Sequence, residues 1–196
     1  MYNKNNILFF YAIVYFAFLY LPVMLLPVFS FNDAIHMVFP LKGFTLKWYD
    51  QMIHSSRLHR ALMNSIKVGV IASIFSTFIA LLAAKAFTKY KVKLRQLSYG
   101  AILLPFVIPE IIIAVSLIVL WTGMGLQLGL VPVTISHILF CTPFCMLVLI
   151  SRMEGFDRNL EEAAMDLGEN AWGTFWRVTF PLALPAIVAS LLLSFV

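Results

Sequence analysis

YGAILLPFVIPEIIIAVSLIVLW, residues 99–121, is an apolar run interrupted by one glycine, one serine, two prolines and a single acid, Glu110. Its residues do not alternate apolar and polar as the strands of a barrel would. Unpaired backbone groups are so costly in lipid that a non-alternating run of this length is expected to be a membrane helix. A hydrocarbon core roughly 30 Å thick takes about 20 helical residues to cross. Three further runs meet that length, Ile7–Phe29, Ala61–Phe87 and Leu130–Ile150, and a shorter one, Leu182–Val196, ends the chain. The composition agrees: of 196 residues 62% are hydrophobic and 12% charged, with a mean hydropathy of +0.93. These values exclude a soluble domain and predict an all-α integral membrane protein. The last run has no polar flank, so the chain is expected to be truncated inside a helix at its C-terminus.

The first run is longer than the apolar core of a cleaved signal, carries Pro22 and Pro27, and has no small-residue cleavage site, so it is read as a retained span. Lys and Arg in the loops set the orientation. Lys4, Lys89, Lys91, Lys93, Arg95, Arg152, Arg158 and Arg177 fall on one side, against Lys42, Lys47, Arg57 and Arg60 on the other. This places the N-terminus and the segment around Glu162 in the cytoplasm. The net charge of +5 is thus a topology signal and not a nucleic-acid footprint, which would need a basic face on a soluble domain.

Three parts follow from these runs: residues 1–29, an N-terminal tip and first span; 30–60, an outer loop; and 61–196, a core with helices near 61–87, 99–121, 130–150 and 182–196. In the outer loop Phe44, Trp48, Met52 and Leu58 are expected on one face of an interfacial helix. His36, His54 and His59 match no metal-site spacing. Cys141 and Cys145, with Pro143 between them and His137 one turn earlier, read as a small apolar pair and not as a metal or redox site.

Chemistry concentrates in two places. Glu110 stands mid-run, where an ionised side chain costs roughly 3 kcal/mol on the mildest insertion scale. Pro105 and Pro109 precede it, which predicts a broken helix with Glu110 in the first turn of its second half. There the acid either caps the break, favoured by the helix dipole, or lines a path for a cation, with Ser116, Trp121 and His137 as further candidates. The second place is 152–181, which holds six acids and three bases. Residues 158–167 are expected to form a short helix, capped by Asp157 or Asn159, with Glu161 and Glu162 early and Gly168 just past the end. A second short helix starts at Asn170, and Pro181 is expected to close it before the next span. Ala163, Ala164 and Gly168 leave one side thin enough for a partner to dock closely. The acidic excess argues against adhesion to an anionic leaflet.

Glu162-Ala163-Ala164-x₃-Gly168-x₉-Val178-x-Phe180-Pro181 resembles the EAA loop of the membrane-spanning subunits of bacterial binding-protein-dependent ABC importers. Val178 and Phe180 stand where that family usually has Ile and Leu. A more specific similarity, across nearly the whole chain, is to spermidine/putrescine importer permeases of the PotC type. It rests on Gly43-Phe44-Thr45-x-Lys47-Trp48-Tyr49, Pro109-Glu110-Ile111, Ala114-x-Ser116-Leu117, and the stretch from Gly125 to Gly168. That stretch includes Ser136-His137-Ile138, Cys141-x-Pro143-Phe144 and Ser151-Arg152-x-x-Gly155-Phe156-Asp157.

The resemblance implies the type I ABC importer transmembrane fold, with about five of its six helices present. It implies a bacterial inner-membrane complex in which this chain pairs with a second permease subunit, two cytoplasmic ATPase subunits and an extracytoplasmic binding protein. In that family the loop forms coupling helices seated on the ATPase, so Glu161, Glu162, Ala163, Ala164, Asp166, Gly168 and Pro181 are expected to couple. The chain has no Gly-x-x-x-x-Gly-Lys-[Ser/Thr] loop, so ATP and Mg are expected on the partners, with no catalytic, cofactor or metal site here. Polyamine is the expected cargo, and importers of ferric iron, sulfate or thiamine are the alternatives, since the loop is silent on cargo. A secondary-transporter fragment is a remoter alternative that leaves the acidic hairpin without a purpose. A membrane enzyme finds no paired acids, Ser/His/Asp set or metal cluster in the spans.

Overall fold

A computed structural model of the protein describes residues 3–89 and 95–196. Its helices are α1 (Asn3–Ser30), α2 (Lys47–His54), α3 (Ser56–Lys89), α4 (Arg95–Val107), α5 (Glu110–Gly123), α6 (Leu130–Glu154), α7 (Arg158–Asp166), α8 (Ala171–Thr174) and α9 (Phe180–Phe195), with a π-helical segment, Phe175–Thr179, joining the last two. Among the described residues the only β pairing is an isolated antiparallel bridge between Asn32 and Phe44. The protein is therefore an all-α membrane protein. Four helical segments are long and apolar enough to cross a bilayer, and the bent pair α4–α5 supplies a fifth apolar segment. The chain forms two compact units, Met1–Ala61 and Leu62–Val196.

In the first unit the loop after α1 is pinned by one residue. Asn32 is buried, its Oδ1 accepts from the Lys42 amide at 2.9 Å, and its carbonyl accepts from Trp48 Nε1 at 2.9 Å. The interfacial helix is shorter than the spacing of its apolar residues suggests. Phe44 belongs to the bridge with Asn32 and is exposed, while Leu58 already lies in α3. Two short-range ties explain this: the bridge holds Phe44 extended, and extended Ser55 ends α2 before α3 begins.

In the second unit α6 is the central rod. Cys145, Met146, Leu149, Ile150 and Met153 pack against Ala80, Leu81 and Ala84 of α3 and against Ala183, Ala186 and Ile187 of α9. Lipid tails are as apolar as Leu, so helices in a bilayer associate through close van der Waals contact and interhelical hydrogen bonds. The alanines permit that approach, and so do Ser76 and Ser190, both fully buried. Cys145 Sγ donates to the Ser190 carbonyl at 3.6 Å while Ser190 Oγ reaches the Cys145 carbonyl at 3.5 Å. The two cysteines are free thiols used as small packing groups, Cys141 Sγ lying 3.9 Å from the Ser194 carbonyl.

α3 meets α9 at Gly69, where an added Cβ would come within 3.1 Å of the Phe195 ring. Gly69→Val should therefore lower the thermal midpoint of the detergent-solubilised protein by roughly 3–10 °C, the effect of overpacking one site. Intrinsic fluorescence on heating measures it, and an unchanged midpoint would mean that the ring simply swings aside.

Two proline effects shape the rest. At Pro109 the chain turns: Pro109 sits in an extended conformation (φ −53°, ψ 133°) as the residue before α5, and the axes of 97–107 and 110–123 meet at 99°. Proline disfavours helix in the residue before it and removes a donor, so the break falls here and not in mid-helix. Pro181 behaves otherwise. Instead of closing the hairpin before a fresh span, it lies inside one continuous helical run, Ala171–Phe195. The π segment explains this, because the Phe180 amide bonds to the Phe175 carbonyl, five residues back. One widened turn makes room for the proline ring that a regular helix would push against the carbonyl four residues earlier.

Candidate functional site

The hairpin between α6 and the Ala171–Phe195 run is built by its caps. Asp157 opens α7, its side chain accepting from the Asn159 amide at 3.0 Å. The other end is a Schellman turn, in which the Gly168 amide bonds to the Met165 carbonyl at 2.9 Å and the Glu169 amide to the Ala164 carbonyl at 3.1 Å. This geometry needs a left-handed residue, and Gly168 has φ +94°. Asn170 then caps α8 by accepting from the Gly173 amide at 2.8 Å. An ion pair between Arg177 and Glu169 braces the turn.

The two faces of the hairpin differ. Glu162, Ala163, Asp166 and Gly168 are exposed and Pro181 is exposed further along, whereas Glu161 and Ala164 are half-buried toward the bundle. Apolar side chains also stand out at the tip, Leu167 88% exposed and Trp172 69%. The thin face thus consists of Ala163 and Gly168, with open space around the Gly168 Cα, while Ala164 turns inward.

Glu161 is the best-connected residue of the hairpin. Its Oε2 pairs with Lys89 Nζ at 2.8 Å, near the end of α3, and its Oε1 accepts from Thr179 Oγ1 at 2.5 Å, at the end of the π segment. Lys85, one turn before Lys89, places its ammonium 4.1 Å above the Phe175 ring. Burial opposes ionisation of Glu161, but the hydrogen bonds from Lys89 and Thr179 and the charges of Lys89 and Lys85 outweigh it, so the carboxyl is held below its ordinary range. A cavity of about 530 Å³ beside this cluster is lined by Lys85, Lys89, Glu154, Asp157, Leu160 and Met165, among others. Sequence reasoning missed Lys85 and Thr179 and used Lys89 only for topology. The available signal was the spacing of the two lysines, four apart at the end of an apolar run and hence on one helical face.

The second place is the elbow between α4 and α5. Glu110 is the first residue of α5 and exposed, and its side chain makes no hydrogen bond to a described residue. A carboxylate in the first turn is favoured by the helix dipole, and Glu110 stands there. At about 100° per residue, Trp121 returns to within roughly 20° of Glu110 around the α5 axis, whereas Ser116 lies about 240° round. On a regular α5, Glu110 and Trp121 thus share one stripe and Ser116 lies off it. Trp121 Nε1 donates to Ser136 Oγ of α6 at 2.9 Å, and His137 beside it is exposed. Among the described residues no group of three or more His, Cys, Asp or Glu side chains is placed to hold a metal ion.

Comparison with known proteins places these features in context. Residues 76–196 match the family model described as binding-protein-dependent transport system inner membrane component. The chain is similar to the spermidine/putrescine transport system permease protein PotC of Escherichia coli K12, 36% identical over 180 residues, covering 92% of this chain and 68% of that protein. It is similar also to PotC of Haemophilus influenzae, 33% identical over 185 residues, covering 94% and 72% respectively. With the putrescine transport system permease protein PotI of Escherichia coli K12 it shares 29% identity over 188 residues, covering 92% and 66%.

Proposed function

The chain belongs to the family of binding-protein-dependent transport system inner membrane components, and from that membership we propose that it is the permease subunit of an ATP-driven polyamine importer. It is a multi-pass inner-membrane protein. The observation that carries the cargo is its similarity, over more than nine-tenths of its length, to permeases named for spermidine and putrescine. Physical chemistry supports the same sign of charge. A polyamine is a multiple cation, and Glu110 is an exposed acid at the elbow of an apolar helix pair, where lipid is too costly a neighbour. It faces either the pathway or another subunit.

In this reading the hairpin lies in the cytoplasm with the N-terminus, and its exposed face, Glu162, Ala163, Asp166, Leu167 and Gly168, seats on an ATPase subunit. Nucleotide and Mg are handled by two such partners, the pathway is shared with a second permease subunit, and an extracytoplasmic binding protein delivers the cargo. Closure of the ATPase pair would draw the hairpins together and open the path outward, and their separation after hydrolysis would return it inward. The chain itself supplies the pathway and the coupling and catalyses nothing.

The test is affinity isolation of the tagged chain from its native membrane, followed by an ATPase assay of the isolated complex. We expect co-purifying ATPase subunits whose hydrolysis rises with loaded polyamine-binding protein. Stimulation by ferric iron, sulfate or thiamine instead would overturn the cargo, and absence of any nucleotide-hydrolysing partner would overturn the whole assignment.

A further inference from the structure

We propose that Glu161 is the strut that carries movement of the hairpin into the bundle, acting through Lys89 on α3 and Thr179 at the head of α9. This rests on the reading of the hairpin as the ATPase-coupling element and adds the route by which force leaves it. α7 packs against α8 and the π segment, and the Glu161–Lys89 pair ties it to α3. One carboxylate makes that link with both oxygens: Oε2 to Lys89, 72 residues away in sequence, and Oε1 to Thr179, 18 residues away. Two acceptor atoms of a rigid planar group thus tie three elements, and charge-assisted bonds of this length are about twice as strong as neutral ones.

The attachment points favour transmission. Thr179 is 1% exposed, so its hydroxyl cannot exchange readily to water. It closes the π segment, a widened turn of the kind found at functional sites, so a pull there acts directly on the Ala171–Phe195 run. Lys89 stands at the last residue of α3, where a pull acts on the helix end and so on the small-residue contacts of Ala80 and Ala84 with α6. Lys85, stacked on Phe175, adds a second tie between α3 and the π segment. Glu161 therefore positions the bundle and is not a docking residue: its neighbour Glu162 faces outward, and Glu161 faces in.

The experiment uses the complete complex with its ATPase subunits, reconstituted in liposomes with the binding protein, and reads putrescine taken up per ATP hydrolysed. E161Q, which keeps the shape and loses the charge, should lower that ratio about tenfold, and Thr179→Val, which keeps the volume and loses the hydroxyl, about threefold. Lys89→Glu should lower it at least as far as E161Q, and the charge swap Glu161→Lys with Lys89→Glu should return it to within about threefold of the parent. An unchanged ratio in E161Q, or a swap no better than Lys89→Glu alone, would overturn the strut. Should E161Q fail to assemble, Thr179→Val decides on the same criterion.

Spin labels give a readout without any cargo. A label at exposed Asn159 on α7 should respond to ATP in parent and E161Q alike, while one at Leu184 on α9 should respond only in the parent. A Leu184 response preserved in E161Q overturns the strut. An Asn159 label indifferent to ATP in the parent overturns instead the coupling reading on which it rests.

Discussion

Gly168→Glu is expected to reduce ATP-driven uptake by the assembled transporter by more than about tenfold, the largest loss foreseen for a single change in the hairpin. Two effects combine. Gly168 is left-handed, φ +94°, and a Glu side chain in that conformation costs about 1–2 kcal/mol, loosening the turn that sets the angle between α7 and α8. The new carboxylate then projects into open space on the exposed face, beside Glu162 and Asp166, and both its bulk and its charge oppose close seating of a partner. Two companion variants separate these effects. Gly168→Asn, whose residue type tolerates the left-handed region, should transport at close to the parent rate, and Gly168→Ala should fall between. Uptake by the reconstituted complex measures all three, with ATPase co-purification as the assembly check. Parent-like uptake and association in Gly168→Glu would show that nothing docks closely at this turn.

Glu110→Gln is the second large effect expected. A cation about 4 Å from a carboxylate at an effective dielectric near 20 gains roughly 4 kcal/mol, and losing half of that benefit slows passage about thirtyfold. Gln keeps the size of the side chain and its capacity to accept a hydrogen bond, so a fall in uptake with the ATPase subunits still co-purifying isolates the charge. Glu110→Asp, which retains the charge on a shorter stem, should recover most of the rate. Initial rates of labelled putrescine uptake decide, and normal rates in Glu110→Gln would remove Glu110 from the pathway.

These two sites differ in how far they can be read from the chain alone. The caps of the hairpin are local, and Asp157, Gly168 and Asn170 act on backbone groups within a few residues, so their types and spacing disclose their work. The break at Pro109 is legible for the same reason, because a proline acts on its own turn. Pro181 has the same chemistry and the opposite outcome: the π segment before it absorbs the ring, and nothing in the order Phe175-Trp-Arg-Val-Thr179 announces a widened turn. The interfacial face of 44–58 fails similarly. Its spacing suits one helix, but the bridge from Asn32 to Phe44 withdraws one end.

Residue types and their order along the chain determine that this is a helical membrane protein, where its apolar segments run, that one of them breaks at Pro109 and that a capped acidic hairpin precedes the last. Lipid and the peptide backbone enforce those outcomes wherever such runs occur, with no help from distant contacts. Tertiary packing alone decided that Glu161 and not Glu162 faces the bundle, and that Lys89 and Thr179 meet on one carboxylate. Those meetings depend on how closely α3, α6 and α9 approach through their alanines and serines, a distance in space that spacing along the chain does not encode.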